Sequence, residues 1–442
     1  MKSSHCLLVA LSGVCASVWA LGGDCDPVVR RFDFGTIAAD GGWVAVTPES
    51  RFSDEMGFGF DLGSMVSAVN RGGTDMLKGD FIESDAPFYF SVSVPEGNYR
   101  VTLFFGDREG ESGNSVKAES RRLMIEDLAT GSGEIVERVI TVNVRNSSVP
   151  PPEPNAPGGS AVVLNERELG VLHWDDKLTL EFNGTDPKVC GLVVEPVDLP
   201  TVFLVGDSTV TDQPREPGAS WGQMLPRFLK PDVVVANHAE SGETLKSFIS
   251  GLRLAKVLSR MKAGDYLFIQ FGHNDQKKQW PQTYVEARTT YKDYLKAYVD
   301  EARLRGATPV LVTSMQRRQF DAEDRIRNSH GAYPEAVREV AREESVALID
   351  LEQMSIVFYE ALGPERAPLA FAGDGRDVTH HSNYGAFELA KCVIEGIREA
   401  GLPLAESIVD DFAGFDPAFP DPVSSIHLPV SPTEPYGKPR GD

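Results

Sequence analysis

From Val28 to about Val197 the apolar positions fall in short runs rich in Val, Phe, Tyr and Thr, broken by Gly, Asn, Asp and Pro. Residues 88–94 and 99–105, separated by Pro95-Glu96-Gly97-Asn98, have the form of a β-hairpin. Further runs at 122–125, 135–144, 161–164, 178–182 and 192–194 lack any helical spacing, so this region is expected to be an all-β sandwich, with 150–159 as a loop. At Pro200 the pattern changes. Uninterrupted apolar runs at 202–205, 233–236, 266–271, 310–312 and 346–349 have the character of strands buried on both faces. Between them Tyr284, Ala287, Tyr291, Tyr294, Leu295, Tyr298 and Ala302 recur at three and four, which predicts one face of a long helix, and a last helix is expected over about 384–400. Strands alternating with helices predict a parallel α/β sheet with helices on both sides, a three-layer unit behind the sandwich. After Gly401 the chain is Pro-rich and aperiodic, either packed in extended form or disordered.

Length agrees with this division, since 442 residues at roughly 150 per domain allow two or three. The chain carries 65 acidic against 43 basic residues, a net charge of −22, which repels nucleic acid and anionic lipid and removes both as expected partners. Residues 1–20 combine Lys2, an apolar stretch over 6–18 and small residues up to Ala20, the form of a secretory signal peptide. Val14 before Cys15 is poor for a lipid anchor. No later segment reaches the ~18 apolar residues of a membrane helix. Cys25, Cys190 and Cys392 lie beyond the signal. If the first and last sandwich strands lie side by side, Cys25 and Cys190 come together, and a disulfide between them is expected on that ground.

Open parallel sheets bind ligands beyond the carboxyl ends of their strands. There the chain offers Gly206-Asp207-Ser208-Thr209, Ser241-Gly242, Gly272-His273-Asn274-Asp275 and Gln316-Arg317-Arg318, with Asp377-Val378-Thr379-His380 ahead of the last helix. A serine becomes a nucleophile when an imidazole accepts its proton and a carboxylate fixes the imidazole tautomer. Ser208, His380 and Asp377 supply these parts. The backbone N–H groups of Ser208 and Gly242 and the Asn274 amide are candidate oxyanion donors.

These residues resemble the SGNH, or GDSL-like, hydrolases, whose four blocks center on Ser, Gly, Asn and His, here Ser208, Gly242, Asn274 and His380. GDST, GHND and D-x-x-H at 206–209, 272–275 and 377–380 are closest to the rhamnogalacturonan acetylesterase branch. The sandwich resembles galactose-binding-like modules, with Phe32-Asp33-Phe34-Gly35 and Gly57-Phe58-Gly59-Phe60 as the suggestive pieces. Between the signal peptide at 1–20 and the Pro-rich tail at 403–442, the resemblance implies a galactose-binding-like sandwich at 24–198 and a flavodoxin-like SGNH hydrolase at 199–402. It implies an exported esterase that deacetylates pectic rhamnogalacturonan, and since no spacing among the eight histidines with Cys or carboxylates resembles a zinc site, neither metal nor cofactor is expected. A xylan acetylesterase, a lipid or thioester hydrolase, and a lapsed glycan-binding protein are the alternatives. Oligomeric state is open.

Plainer readings stand beside these. Asn274 could cap the segment that follows it. Asp207, His273 and His238 read as structural, and the tyrosine row reads as core. Arg317 and Arg318 are positioned either for an anionic sugar or for surface ion pairs. His381 adjoins His380, so the sequence leaves two imidazoles for one base.

Overall fold

The computed structural model describes residues 29–36, 41–73, 75, 77–150 and 158–432. The expected signal peptide and Cys25, with the disulfide assigned to it, lie outside them. Cys190 and Cys392 are both buried, unpaired thiols, and burial pushes Cys190 up to about 12.

The first part of the chain forms β1 (Arg30–Phe34), β2 (Val44–Val46), β3 (Phe58–Asp61), β4 (Ser67–Asn70), β5 (Asp80–Glu83) and β6 (Phe88–Ser93). It continues with β7 (Gly97–Gly106), β8 (Ser112–Ala118), β9 (Arg122–Thr130), β10 (Ile135–Val144), β11 (Lys177–Asn183) and β12 (Lys188–Pro196). Among the described residues one sheet runs β10-β7-β12-β1-β2, with β5 also on β12 and β4 on β5, and the other runs β3-β6-β11-β8-β9. Period-two alternation feeds the space between them. On β7, Tyr99, Val101, Leu103 and Phe105 are buried and meet Phe88, Phe90, Val92, Leu178, Leu180 and Phe182 of the facing sheet. The first and last strands are antiparallel neighbours, with Arg30 opposite Val194 and Asp33 opposite Gly191.

Two local expectations fail. Residues 88–94 and 99–105 are not a hairpin, because β6 pairs with β3 and β11 while β7 pairs with β10 and β12. The chain crosses from sheet to sheet there, Val94 N donating to Asp176 O and Val197 N to Asn98 O. The run 161–164 forms only a bridge from Ala161 to Ser148. Val163 N donates instead to Gly251 O of the second unit, so no neighbouring strand is left to it.

The second unit is built on β13 (Thr201–Gly206), β15 (Val234–Asn237), β16 (Tyr266–Gln270), β17 (Thr308–Val312) and β18 (Ala347–Ile349), parallel throughout in the order β15-β13-β16-β17-β18. A short ribbon joins β14 (Gly218–Ala219) to β19 (His381–Ser382). Both faces are covered. Val202 and Leu204 of β13 enter a core with α1 (Trp221–Met224), α6 (Leu351–Arg366) and α7 (Asn383–Glu399). Phe203 and Val205 enter the opposite core with α2 (Leu245–Ser250), α3 (Arg253–Arg260), α4 (Thr290–Leu304) and α5 (Tyr333–Glu344). The fold is therefore a β-sandwich followed by a three-layer α/β unit.

α4 starts later than the tyrosine spacing predicts. Val285 N donates to Asp275 O and Glu286 N to Thr290 Oγ1, so these donors serve the neighbouring loop and its turn rather than a helix. Tyr291 and Tyr298 are core residues whose hydroxyls donate to Phe271 O and Leu245 O, both at 2.8 Å. The chain after Gly401 packs in extended form as far as it is described. Lys391 meets Asp421 at 2.6 Å, and Ser431 Oγ donates to Glu181 of the sandwich at 2.9 Å. Among the described residues no helix is long and apolar enough to cross a membrane.

Candidate active site

β13 delivers the first block. A Cβ on Gly206 would sit 2.7 Å from Gln270 O of the adjacent strand, so only glycine lets the strand end turn sharply against β16. The turn is then tied inward. Asp207 Oδ1 accepts from Thr209 N at 3.0 Å and from Thr209 Oγ1 at 2.8 Å, and His273 Nδ1 donates to Oδ2 at 3.2 Å. Burial pushes the Asp207 carboxyl up, but His273 and Thr209 together outweigh it and hold it at about 2. Gln270 Nε2 donates to Thr209 Oγ1, and Trp221 Nε1 to Gln270 Oε1, each at 2.8 Å. Asp207 and His273 are thus structural supports of the turn that presents Ser208.

Ser208 Oγ lies 2.9 Å from His380 Nε2, and His380 Nδ1 lies 2.9 Å from Asp377 Oδ2. An ionised carboxylate only accepts, so Nδ1 carries the proton. In the neutral ring Nε2 is then the acceptor, and the Ser208 hydroxyl donates to it. Asp377 Oδ1 takes the backbone N–H of Thr379 at 2.8 Å and of His380 at 3.0 Å, which folds the D-x-x-H turn onto the ring. Burial raises the Asp377 carboxyl, yet the His380 hydrogen bond and charge with these two N–H groups leave it well below the usual carboxylate range. All three side chains are buried.

His381 points elsewhere. Its Nε2 is 2.7 Å from the Tyr359 hydroxyl and its ring packs on Phe371, while burial and the neighbouring His380 lower it to about 3. Of the two imidazoles only His380 faces the serine. His238 packs on Phe203 and Trp174, away from this centre.

Gly242 has φ +83°, a left-handed conformation that glycine adopts without strain. The Asn274 side chain ties this loop to the third block. Its Nδ2 donates to Glu243 O at 3.0 Å, its Oδ1 accepts from Lys277 at 3.1 Å, and the amide retains a second N–H. Beside it, burial pushes Asp275 up to about 7, with Leu245 N donating to its Oδ1 at 2.9 Å.

The two arginines are engaged with backbone. Arg318 Nη2 donates to Gly375 O at 2.6 Å and Asp377 O at 3.3 Å, with its guanidinium 5.3 Å from the Phe371 ring. It therefore holds the loop that carries the carboxylate. Arg317 Nη2 donates to His273 O at 3.3 Å. Among the described residues no group of three or more His, Cys, Asp or Glu is arranged to hold a metal ion.

Sequence reasoning missed the sandwich's part in this centre. The tip between β8 and β9, with Glu119 and Arg121 at positive φ, reaches into the nucleophile loop. Arg121 Nη1 donates to Gln213 O and Gly218 O, both at 2.8 Å, and Arg122 Nε to Asp212 Oδ2 at 2.7 Å. Gln213 Nε2 in turn donates to Ser208 O at 2.6 Å. Nothing in the local pattern of Ser120-Arg121-Arg122 marks it apart from an ordinary charged turn.

The GDSL-like Lipase/Acylhydrolase family matches residues 204–386, and the Beta-agarase/YXIM esterase-like, galactose-binding domain-like family matches residues 30–142. Rhamnogalacturonan acetylesterase RhgT of Bacillus subtilis (strain 168) is 44% identical over 221 residues, 47% of this chain and 94% of the relative. The uncharacterized esterase YxiM of the same strain is 26% identical over 387 residues, 85% of this chain and 92% of the relative. A crystal structure of the YxiM protein from Bacillus subtilis aligns at TM-score 0.46 and 25% identity, covering 85% of this chain and 99% of that one. With a relative at 44% identity matched over nearly its whole length, and all four sequence blocks gathered at one sheet edge, this chain belongs to the GDSL-like lipase/acylhydrolase family and is a carboxylic ester hydrolase.

Proposed function

We propose that this esterase acts on carbohydrate, removing acetyl groups from pectic rhamnogalacturonan after export by the signal at 1–20. The Asp377–His380–Ser208 relay, with 2.9 Å at each step, carries the chemical part of this reading. The 44% identity to a rhamnogalacturonan acetylesterase supports the substrate. We divide the chain accordingly into a sandwich at 24–198, a catalytic unit at 199–402 and a tail at 403–442.

Ser208 Oγ attacks the acetyl carbonyl carbon as His380 Nε2 takes its proton. The negative oxygen that forms is met by the N–H groups of Ser208 and Gly242 and by the remaining Asn274 N–H. His380 then protonates the departing sugar hydroxyl, leaving acetyl-Ser208. A water deprotonated by the same nitrogen releases acetate. Asp377 stays ionised throughout and stabilises the imidazolium. Acetate release measured on acetylated rhamnogalacturonan and acetylated xylan tests the reading. The expected result is faster release from rhamnogalacturonan, abolished in Ser208→Ala. Preference for xylan would overturn the substrate assignment and leave the esterase assignment standing.

A further inference from the structure

Ser208 and His380 stand 172 positions apart in the chain, and the 2.9 Å between them holds only while their two segments keep their places. One guanidinium touches both segments. On the nucleophile side Arg121 Nη1 donates to Gln213 O at 2.8 Å, and the Gln213 side chain returns to Ser208 O at 2.6 Å. On the base side Nη1 also donates to Gly218 O at 2.8 Å, and Gly218 pairs with Ser382 between β14 and β19. Nη2 donates to Asn383 Oδ1 at 3.2 Å. Ser382 and Asn383 follow His380 by two and three residues. Glu216, between Gln213 and Gly218, meets Nη2 at 2.6 Å and accepts from Asn383 Nδ2 at 2.9 Å, which joins the two sides again.

The tip is held in the shape this reach requires. Arg121 has φ +65° and Glu119 φ +55°, left-handed conformations that cost side chains of this size free energy. The sandwich pins the turn through Glu119 Oε1, which accepts from Thr179 N at 3.0 Å. The hydrolase pins it through Gln223 Nε2, which donates to Ser120 O at 2.8 Å and to Gln213 O at 3.0 Å. Arg121, Gln213 and Gln223 are all buried, where a charged donor with fixed partners is harder to displace than in water. A lysine cannot take this place, because its ammonium is a point charge while the guanidinium offers a rigid fork to two segments at once.

We propose that Arg121 is a positioning residue for catalysis, a clamp from the sandwich that sets the distance between the nucleophile and its base. This rests on the Ser208–His380 assignment above. Acting through Gln213 and Asn383, it governs how often the hydroxyl and Nε2 are in line rather than how tightly substrate binds.

The test measures kcat and KM on 4-nitrophenyl acetate across pH, with melting curves, for the unaltered full chain and for Arg121→Met, Arg121→Lys, Asn383→Ala and Lys256→Met. Glu216 keeps Lys117 at 3.8 Å when Arg121 is cut back, so its charge is not stranded. Lys256→Met removes a different buried contact between the units, the 2.5 Å pair with Glu96, and serves as the control for lost stability alone. Arg121→Met should lower kcat about 10²-fold with KM little changed, and Arg121→Lys should recover little of it. Asn383→Ala, at a half-buried position where folding is expected to survive, should lower kcat about tenfold. The pH at which activity falls on the acid side should not move, because the contact between Asp377 and His380 is left intact. Lys256→Met should lower the melting temperature and leave kcat unchanged. Normal kcat in both Arg121→Met and Asn383→Ala overturns the clamp. So does an equal loss of kcat in Lys256→Met, a displaced acid limb in Arg121→Met, or full recovery in Arg121→Lys. Full activity in Ser208→Ala overturns instead the catalytic assignment on which the clamp rests.

Discussion

Arg122 of the sandwich and Asp212 of the hydrolase form a 2.7 Å ion pair in which neither side chain keeps more than 2% exposure. Asp212 Oδ1 also accepts from Asn237 at 2.7 Å, and Arg122 Nη1 donates to Asn143 O at 2.9 Å. The pair spans the two units four residues beyond Ser208. Glu168–Arg253 at 2.5 Å is a second buried ion pair between the units.

Removing one partner of a buried pair strands the other charge, at a cost of about 3–5 kcal/mol. Arg122→Met should lower the unfolding free energy by about that amount, and Arg122→Met with Asp212→Asn should recover most of it because no charge is stranded. Denaturant titration reads both. A single variant as stable as the parent would show that the pair contributes nothing.

Ser208→Ala and His380→Ala should each reduce ester hydrolysis by at least about 10⁴-fold. His381→Gln should instead lower the melting midpoint, by disturbing the contact with Tyr359, while kcat stays within about tenfold. Comparable loss of kcat in His380→Ala and His381→Gln would contradict the assignment of the base.

In the proposed mechanism Asn274→Ala removes one oxyanion donor, and it also frees the Gly242 loop from its anchor at Glu243 O. Loss of one such donor costs about 10²- to 10³-fold in kcat, with KM little changed. Asn274→Asp should be at least as damaging, since a carboxylate repels the developing charge. Near-normal turnover in both variants would make Asn274 a cap.

Asp275 supplies a pH dependence of stability. Its folded value of about 7 lies above the unfolded 3.8, so the folded state holds the proton more tightly. Ionisation of the unfolded chain then erodes stability from about pH 4 upward, and the erosion is complete above about pH 7, at up to about 4 kcal/mol. Asp275→Asn keeps an acceptor for Leu245 N and should remove this loss. The variant should gain stability over the parent at pH 8 and little at pH 4. Equal gains at both would contradict the raised value.

The D-x-x-H turn and the glycine-led strand ends were legible because their geometry is set within three or four residues. The layers of the hydrolase were legible because β13 is apolar at every position from Val202 to Val205 and feeds both cores. The sandwich resisted at one place. Alternation says that β6 and β7 are strands but not which sheet each joins, so the turn at Pro95 read as a hairpin. The spacing of Tyr284 and Ala287 continues the α4 face while the N–H groups of Val285 and Glu286 are taken elsewhere. Arg122 and Asp212 are 90 positions apart and look like any other charges.

The reach of the β8–β9 tip bears on the order in which the enzyme matures. Synthesis runs from the amino terminus, so Ser120 to Arg122 leave the ribosome before the nucleophile loop that they meet. The nucleophile loop is completed against a tip that carries the donors taken by Asp212 and the Gln213 carbonyl. RhgT is matched over 94% of its length by 221 residues and has little room for such a scaffold. In this chain the loop that presents Ser208 takes part of its support from the neighbouring unit, so damage at the sandwich tip reaches the nucleophile without touching the hydrolase itself.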